Sequence, residues 1–113
     1  MTGALLVFAG GGLGALLRYL AVLAVGGPLA TLTVNIAGSF AIGFLAASLP
    51  GEATPARLFL LTGLLGGFTT FSAFSFDALA LYQRGEPAHA AAYILASVIL
   101  SLTAAAAGLA IAR

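Results

Sequence analysis

Thr31, Asn35 and Ser39 recur every four positions in one apolar stretch, and Tyr93, Ser97 and Ser101 repeat the spacing in another. On a helix each set lines up along one face. Most of these groups donate hydrogen bonds and none carries a negative charge. Such a face offers a dehydrated anion what water offers it. A lone Ser or Thr has a simpler outlet, its hydroxyl bonding back to a carbonyl of its own helix. The Asn35 amide cannot be satisfied so locally. It is either glue between helices or a donor facing a polar path, and the sequence leaves the two readings level.

The densest signal is the run from Gly63 to Ser75, which contains Gly66-Gly67-Phe68-Thr69-Thr70-Phe71-Ser72-Ala73-Phe74. Paired glycines followed by Phe-Thr-Thr make a poor continuous helix. The pattern predicts an unwound break, with a simple kink as the alternative. Loose carbonyls at such a break commonly coordinate a small cation such as sodium. Phe71 and Phe74 lie three apart and share a helix face. Aromatic residues so spaced are usually packing, yet a ring also has a positive edge that can face an anion.

These residues need scaffolding, and the composition says what kind. Of 113 residues, 62% are hydrophobic and only 6% charged, with four arginines, three carboxylates, one histidine and no lysine. Ordinary soluble domains carry about 25% charged residues. The solvent around most of this chain is therefore lipid. Cysteine is absent, which excludes a disulfide framework and thiolate metal sites. No basic cluster suggests nucleic acid. The apolar N-terminus lacks the positive region of a signal peptide, and Arg18 interrupts what a leader would keep apolar; it reads as a retained membrane helix.

A spanning helix needs roughly 20 mostly apolar residues. Charges and prolines divide the chain into four such pieces, at about 3–25, 29–49, 55–82 and 88–112. The connections, Gly26-Gly27-Pro28, Pro50-Gly51-Glu52 and Arg84-Gly85-Glu86-Pro87, are short enough to make successive helices antiparallel neighbours. The expected architecture is one all-α transmembrane domain of four helices, the third broken near the bilayer midplane. Gly10 and Gly14, Gly63 and Gly67, and Ala104 and Gly108 form small-xxx-small pairs, which let helix backbones approach closely in lipid. With both termini on one side, Arg57 and Arg113 lie there, Arg84 lies opposite, and Arg18 leans toward Arg84. Two against two leaves almost no positive-inside bias. A chain so balanced can insert in both orientations and assemble as an antiparallel homodimer.

Three stretches carry a resemblance: Gly11-Gly12-Leu13-Gly14-Ala15-Leu16-Leu17-Arg18-Tyr19, Thr31-Leu32-Thr33-Val34-Asn35-Ile36-Ala37-Gly38-Ser39-Phe40, and Gly66 to Ser75. In order and spacing the chain resembles the small bacterial fluoride channels called Fluc or CrcB, over essentially its whole length. The resemblance implies a dual-topology homodimer with two pores in the bacterial cytoplasmic (inner) membrane, exporting cytoplasmic fluoride down its electrochemical gradient. It implies a structural sodium ion held by the backbone carbonyls of Gly66 and Thr69 of both subunits. It also implies a fluoride path along Asn35, Phe71, Ser72 and Phe74, with Tyr93, Ser97 and Ser101 as a polar track, and a structural role for Arg18. The partners so implied are a second copy of the chain, fluoride and lipid.

Two departures stand out. Ala73 replaces the family's usual threonine, removing a hydroxyl from the expected path, and Asp77 replaces a more usual glutamate. No step of fluoride conduction needs a nucleophile or general base, so the expected protein is not an enzyme. The main rival is a small multidrug exporter coupled to protons, which needs a carboxylate in its first helix. None is present there, the first in the chain being Glu52. A membrane structural protein with no transport role is the other alternative.

Overall fold

A computed structural model describes residues 2–113. Among them the chain is all helical: α1 (Thr2–Val25), α2 (Gly27–Ser48), α3 (residues 55–68), α4 (Phe71–Gln83) and α5 (Pro87–Ala112). Taking α3 and α4 together, four helices are long and apolar enough to cross a membrane.

The turns are made by glycine and proline where the backbone requires them. Gly26, at φ 78°, is the whole connection between α1 and α2, and Pro28 starts α2 instead of separating it from α1. At the other hairpin Gly85 has φ 79°. Its N–H donates to the Tyr82 carbonyl, and the Glu86 N–H to the Leu81 carbonyl, both at 3.1 Å. This is the Schellman closure, which needs a left-handed residue at its centre. On the opposite side Arg57 donates to the Ala46 and Leu49 carbonyls at 3.1 and 3.0 Å, covering the open end of α2.

The third span is broken, and the break falls at Thr69 and Thr70 instead of at the glycines. Both threonines are extended (ψ 158° and 123°), whereas Gly66 to Phe68 remain helical. The glycines are needed in the helix because α1 runs against them. A Cβ on Gly67 would collide with the Gly11 carbonyl, and one on Gly14 with the Leu64 carbonyl. Gly63 sits so close to Gly10 that a Cβ there would be 3.0 Å from its Cα. One feature has no counterpart in the expected pattern: Leu58–Leu65 is wound as a π-helix, ahead of the break. Such windings tend to occur at functional sites.

The second close approach joins α2 and α5. A Cβ on Gly43 would meet the Ala105 carbonyl, and one on Gly108 the Phe40 carbonyl. Of the expected small-residue pairs, Gly10–Gly14 and Gly63–Gly67 pack against each other. The third contributes Gly108, whose neighbours are on α2. Fully buried apolar side chains are few, Val34 and Leu81 among them, and large ones such as Phe8 and Leu23 face outward. In lipid, association rests on close packing and hydrogen bonds more than on apolar burial.

Candidate ion-conduction site

The break is held open by one side chain. The Asn35 Nδ2 donates to the Thr70 carbonyl at 2.9 Å, and the Thr70 N–H donates to Asn35 Oδ1 at 2.8 Å. The amide takes the place of a helical neighbour, satisfying both backbone groups of an extended residue. The Thr70 hydroxyl then caps α4 by accepting the Ala73 N–H at 3.2 Å. Asn35 is thus interhelical glue, and its second amide hydrogen remains for another acceptor.

The same side chain lines a groove of about 350 Å³, together with Ser39, Thr69, Thr70, Phe71, Phe74, Ser97, Val98, Ser101 and Leu102. Phe71 and Phe74 meet at 5.5 Å between ring centroids, tilted by 53°. Ser97 and Ser101 have buried hydroxyls with no hydrogen-bond partner. That is unusual within this chain. Thr33, Ser48, Ser75 and Thr103 all donate to the carbonyl four residues back, at 2.7 to 3.0 Å. Ser97 and Ser101 decline that outlet. No acidic residue lines the groove.

Two of the expected path residues do not join the groove lining. Ser72 is exposed and shares a 3.2 Å hydrogen bond with the Thr70 hydroxyl. Tyr93 stands behind Phe74, ring centroids 5.5 Å apart. The four-residue step drifts around a helix by about 40°, so position 93 has turned away from the face that carries Ser101. Tyr93 instead donates to Asp77, as does Thr31 from α2. The partnership of Asp77 was invisible in the sequence, where nothing pairs positions 31, 77 and 93.

Gly66 and Thr69 border a second, smaller pocket of about 170 Å³, shared with Ser39. The helical donor for the Gly66 carbonyl would be the Thr70 N–H, which bonds Asn35 instead. The donor for the Thr69 carbonyl would be the Ala73 N–H, which bonds the Thr70 hydroxyl. Both carbonyls thus lose their usual partners, and an oxygen-only set of this kind fits a hard monovalent cation. Among the described residues no three His, Cys, Asp or Glu side chains come together to hold a metal.

Arg18 lies seven residues short of the end of α1 and donates from Nε to the Gly67 carbonyl at 3.1 Å. It therefore caps the last turn before the break. Instead of leaning toward Arg84, the half-buried side chain reaches a freed carbonyl inside the bundle, which is a good partner for a guanidinium at membrane depth.

A family model described as "CrcB-like protein, Camphor Resistance (CrcB)" matches residues 5–109. The chain belongs to the CrcB-like family. This CrcB-like chain is 52% identical to a protein of Rhizobium meliloti (strain 1021) over 122 residues, covering 100% of the chain and 98% of that protein. It is 52% identical to one of Paracoccus denitrificans (strain Pd 1222), covering 92% and 89% of the two chains. A third, from Rhodospirillum centenum (strain ATCC 51521 / SW), is 50% identical over 96% of the chain and 94% of the relative. Each is named "Fluoride-specific ion channel FluC". The CrcB-like chain is a multi-pass membrane protein of a family of ion channels, not of enzymes.

Proposed function

We propose that this chain conducts fluoride passively out of the cytoplasm, as an antiparallel pair of identical subunits, and so confers fluoride resistance. The observation that carries the reading is the pair of buried, unpartnered hydroxyls of Ser97 and Ser101 in a groove without acidic residues. An unmade hydrogen bond in a buried site costs about 1–3 kcal/mol, and a donor held ready at that cost suits an acceptor that comes and goes. Fluoride is a small, strongly hydrated acceptor. The two hydroxyls, the free Asn35 hydrogen and the ring edges of Phe71 and Phe74 replace its water.

The second copy is supported by the groove's exposure. Phe71 lines the groove yet is 78% exposed in the single chain, and a partner would close that side. The arginine balance also supports it. Arg57 and Arg113 lie toward one surface and Arg84 toward the other, with Arg18 held on the Gly67 carbonyl, which leaves little positive-inside bias. In such a pair the Gly66 and Thr69 carbonyls of both subunits would hold a sodium ion, whose charge offsets part of the cost of desolvating anions nearby. A cysteine replacing exposed Glu86 is then labelled from both sides of the membrane; labelling from one side only refutes the dual topology.

The test of function is fluoride efflux from liposomes containing the purified protein. Passive conduction requires a counter-current, so efflux should begin only when valinomycin lets potassium follow. Efflux of a cationic drug driven by a proton gradient would instead favour the multidrug-exporter reading. No efflux of either would favour a structural protein.

A further inference from the structure

We propose that Asp77 is a positioning residue for conduction, which sets the Phe74 ring through Tyr93. The inference rests on the fluoride-conducting reading for its consequence but not for its geometry. A carboxylate inside a membrane span is costly and marks a task. Asp77 is the seventh of thirteen residues of α4, and it does not line the groove. Among the described residues no cationic group forms an ion pair with it.

What it does touch is specific. Its Oδ2 accepts the Thr31 hydroxyl of α2 at 2.7 Å and the Tyr93 hydroxyl of α5 at 3.3 Å. Both donors are buried, at 5% and 6% exposure. One oxygen therefore ties three helices together. Tyr93 is a lever: its hydroxyl is held at one end, and its ring lies 5.5 Å from that of Phe74 at a 39° tilt. Phe74 in turn meets Phe71 at the groove. The 2.7 Å bond from Thr31 fixes the acidic side chain between α2 and α4, and the longer Tyr93 contact to the same oxygen gives that ring one preferred orientation. An aromatic edge favours an anion only in the correct orientation. Asp77 thus acts on a groove it does not line, through the rings of Tyr93 and Phe74.

The experiment uses the full-length protein in liposomes with four variants: Asp77→Asn, Tyr93→Phe, the double variant, and Asp77→Glu. Two quantities are read: fluoride flux, and the ¹⁹F resonance of 4-fluorophenylalanine placed at position 74. Asp77→Asn and Tyr93→Phe should each lower flux on the order of tenfold and move the resonance in the same direction. The double variant should be no slower than either single one by more than about twofold, because both act through one contact. Asp77→Glu should restore the resonance and most of the flux. Unchanged flux and resonance in Asp77→Asn would overturn the proposal. So would a full additional loss when Asp77→Asn is added to Tyr93→Phe, since the carboxylate would then face the ion directly. Should the unmodified protein carry no fluoride, the functional reading fails, and the resonance alone decides the positioning. Tyr93→Phe loses a single hydroxyl, so it reports even if Asp77→Asn does not fold.

Discussion

Two contacts of this molecule use small residues for opposite ends. Where α1 crosses α3, glycines bring backbones together until nothing else fits: Gly10, Gly14, Gly63 and Gly67 each lack room for a Cβ. Where α2, α4 and α5 meet, small polar residues leave a groove, and Ser97 and Ser101 keep hydroxyls with no partner. The four glycines of the first contact line neither the groove nor the second pocket. The second holds two buried hydroxyls whose hydrogens are free for an acceptor such as an anion. In lipid, where apolar burial discriminates poorly, the count of unmade hydrogen bonds separates scaffold from site.

The contrast breaks most visibly at the crossing. Gly14→Ala drives a methyl group into the Leu64 carbonyl, whereas Gly12 has nothing within 4 Å. Overpacking a tight contact typically costs about 1–3 kcal/mol, occasionally more, and here both neighbours are backbone that cannot rotate away. Gly14→Ala is expected to lose its monodisperse peak in size-exclusion chromatography, and Gly12→Ala to keep it. Equal behaviour of the two would remove the distinction between a packed crossing and ordinary helix surface.

The groove answers to flux instead of assembly. Phe71→Ile and Phe74→Ile roughly conserve size, and such swaps usually cost less than about 1.5 kcal/mol of stability. Losing the ring edges should raise the barrier by about 3 kcal/mol, slowing fluoride roughly a hundredfold while the protein purifies intact. Phe59→Ile and Phe76→Ile lie outside the groove and serve as controls. Near-normal flux through both groove variants would return these rings to packing.

Within α5 the comparison sharpens further. Ser97→Ala and Thr103→Ala each remove a hydroxyl, but only Thr103 spends its own on a helix carbonyl. Ser97→Ala should lower flux about tenfold, one hydrogen bond's worth at the barrier, and Thr103→Ala should leave it unchanged. A matching loss in both would mean that the orphan state of Ser97 carries no function.

The smallest effect on flux is expected at Arg18. Arg18→Ala leaves the Gly67 carbonyl without its donor, at a cost of about 1–3 kcal/mol, so the thermal midpoint in detergent should fall while fluoride-over-chloride preference stays the same. A changed preference at an unchanged midpoint would place Arg18 on the ion path.

Four spans, their antiparallel order and the donor-rich character of two helix faces were decided by composition and spacing alone. Hydropathy over some twenty residues and turns of a few residues leave a chain in lipid little choice. The sequence also placed a break in the third span, because glycine pairs and β-branched residues disfavour a continuous helix there. Only the tertiary structure decided where it falls. The extended residues are Thr69 and Thr70, since α1 holds the glycines helical and Asn35, thirty-five positions away, takes both backbone groups of Thr70. The same applies to the assignment of polar groups. Positions 93, 97 and 101 share one spacing, yet Tyr93 turns to Asp77 and the serines to the groove. A repeat of four specifies a face, but a partner on another helix specifies what that face touches, and no local pattern records it.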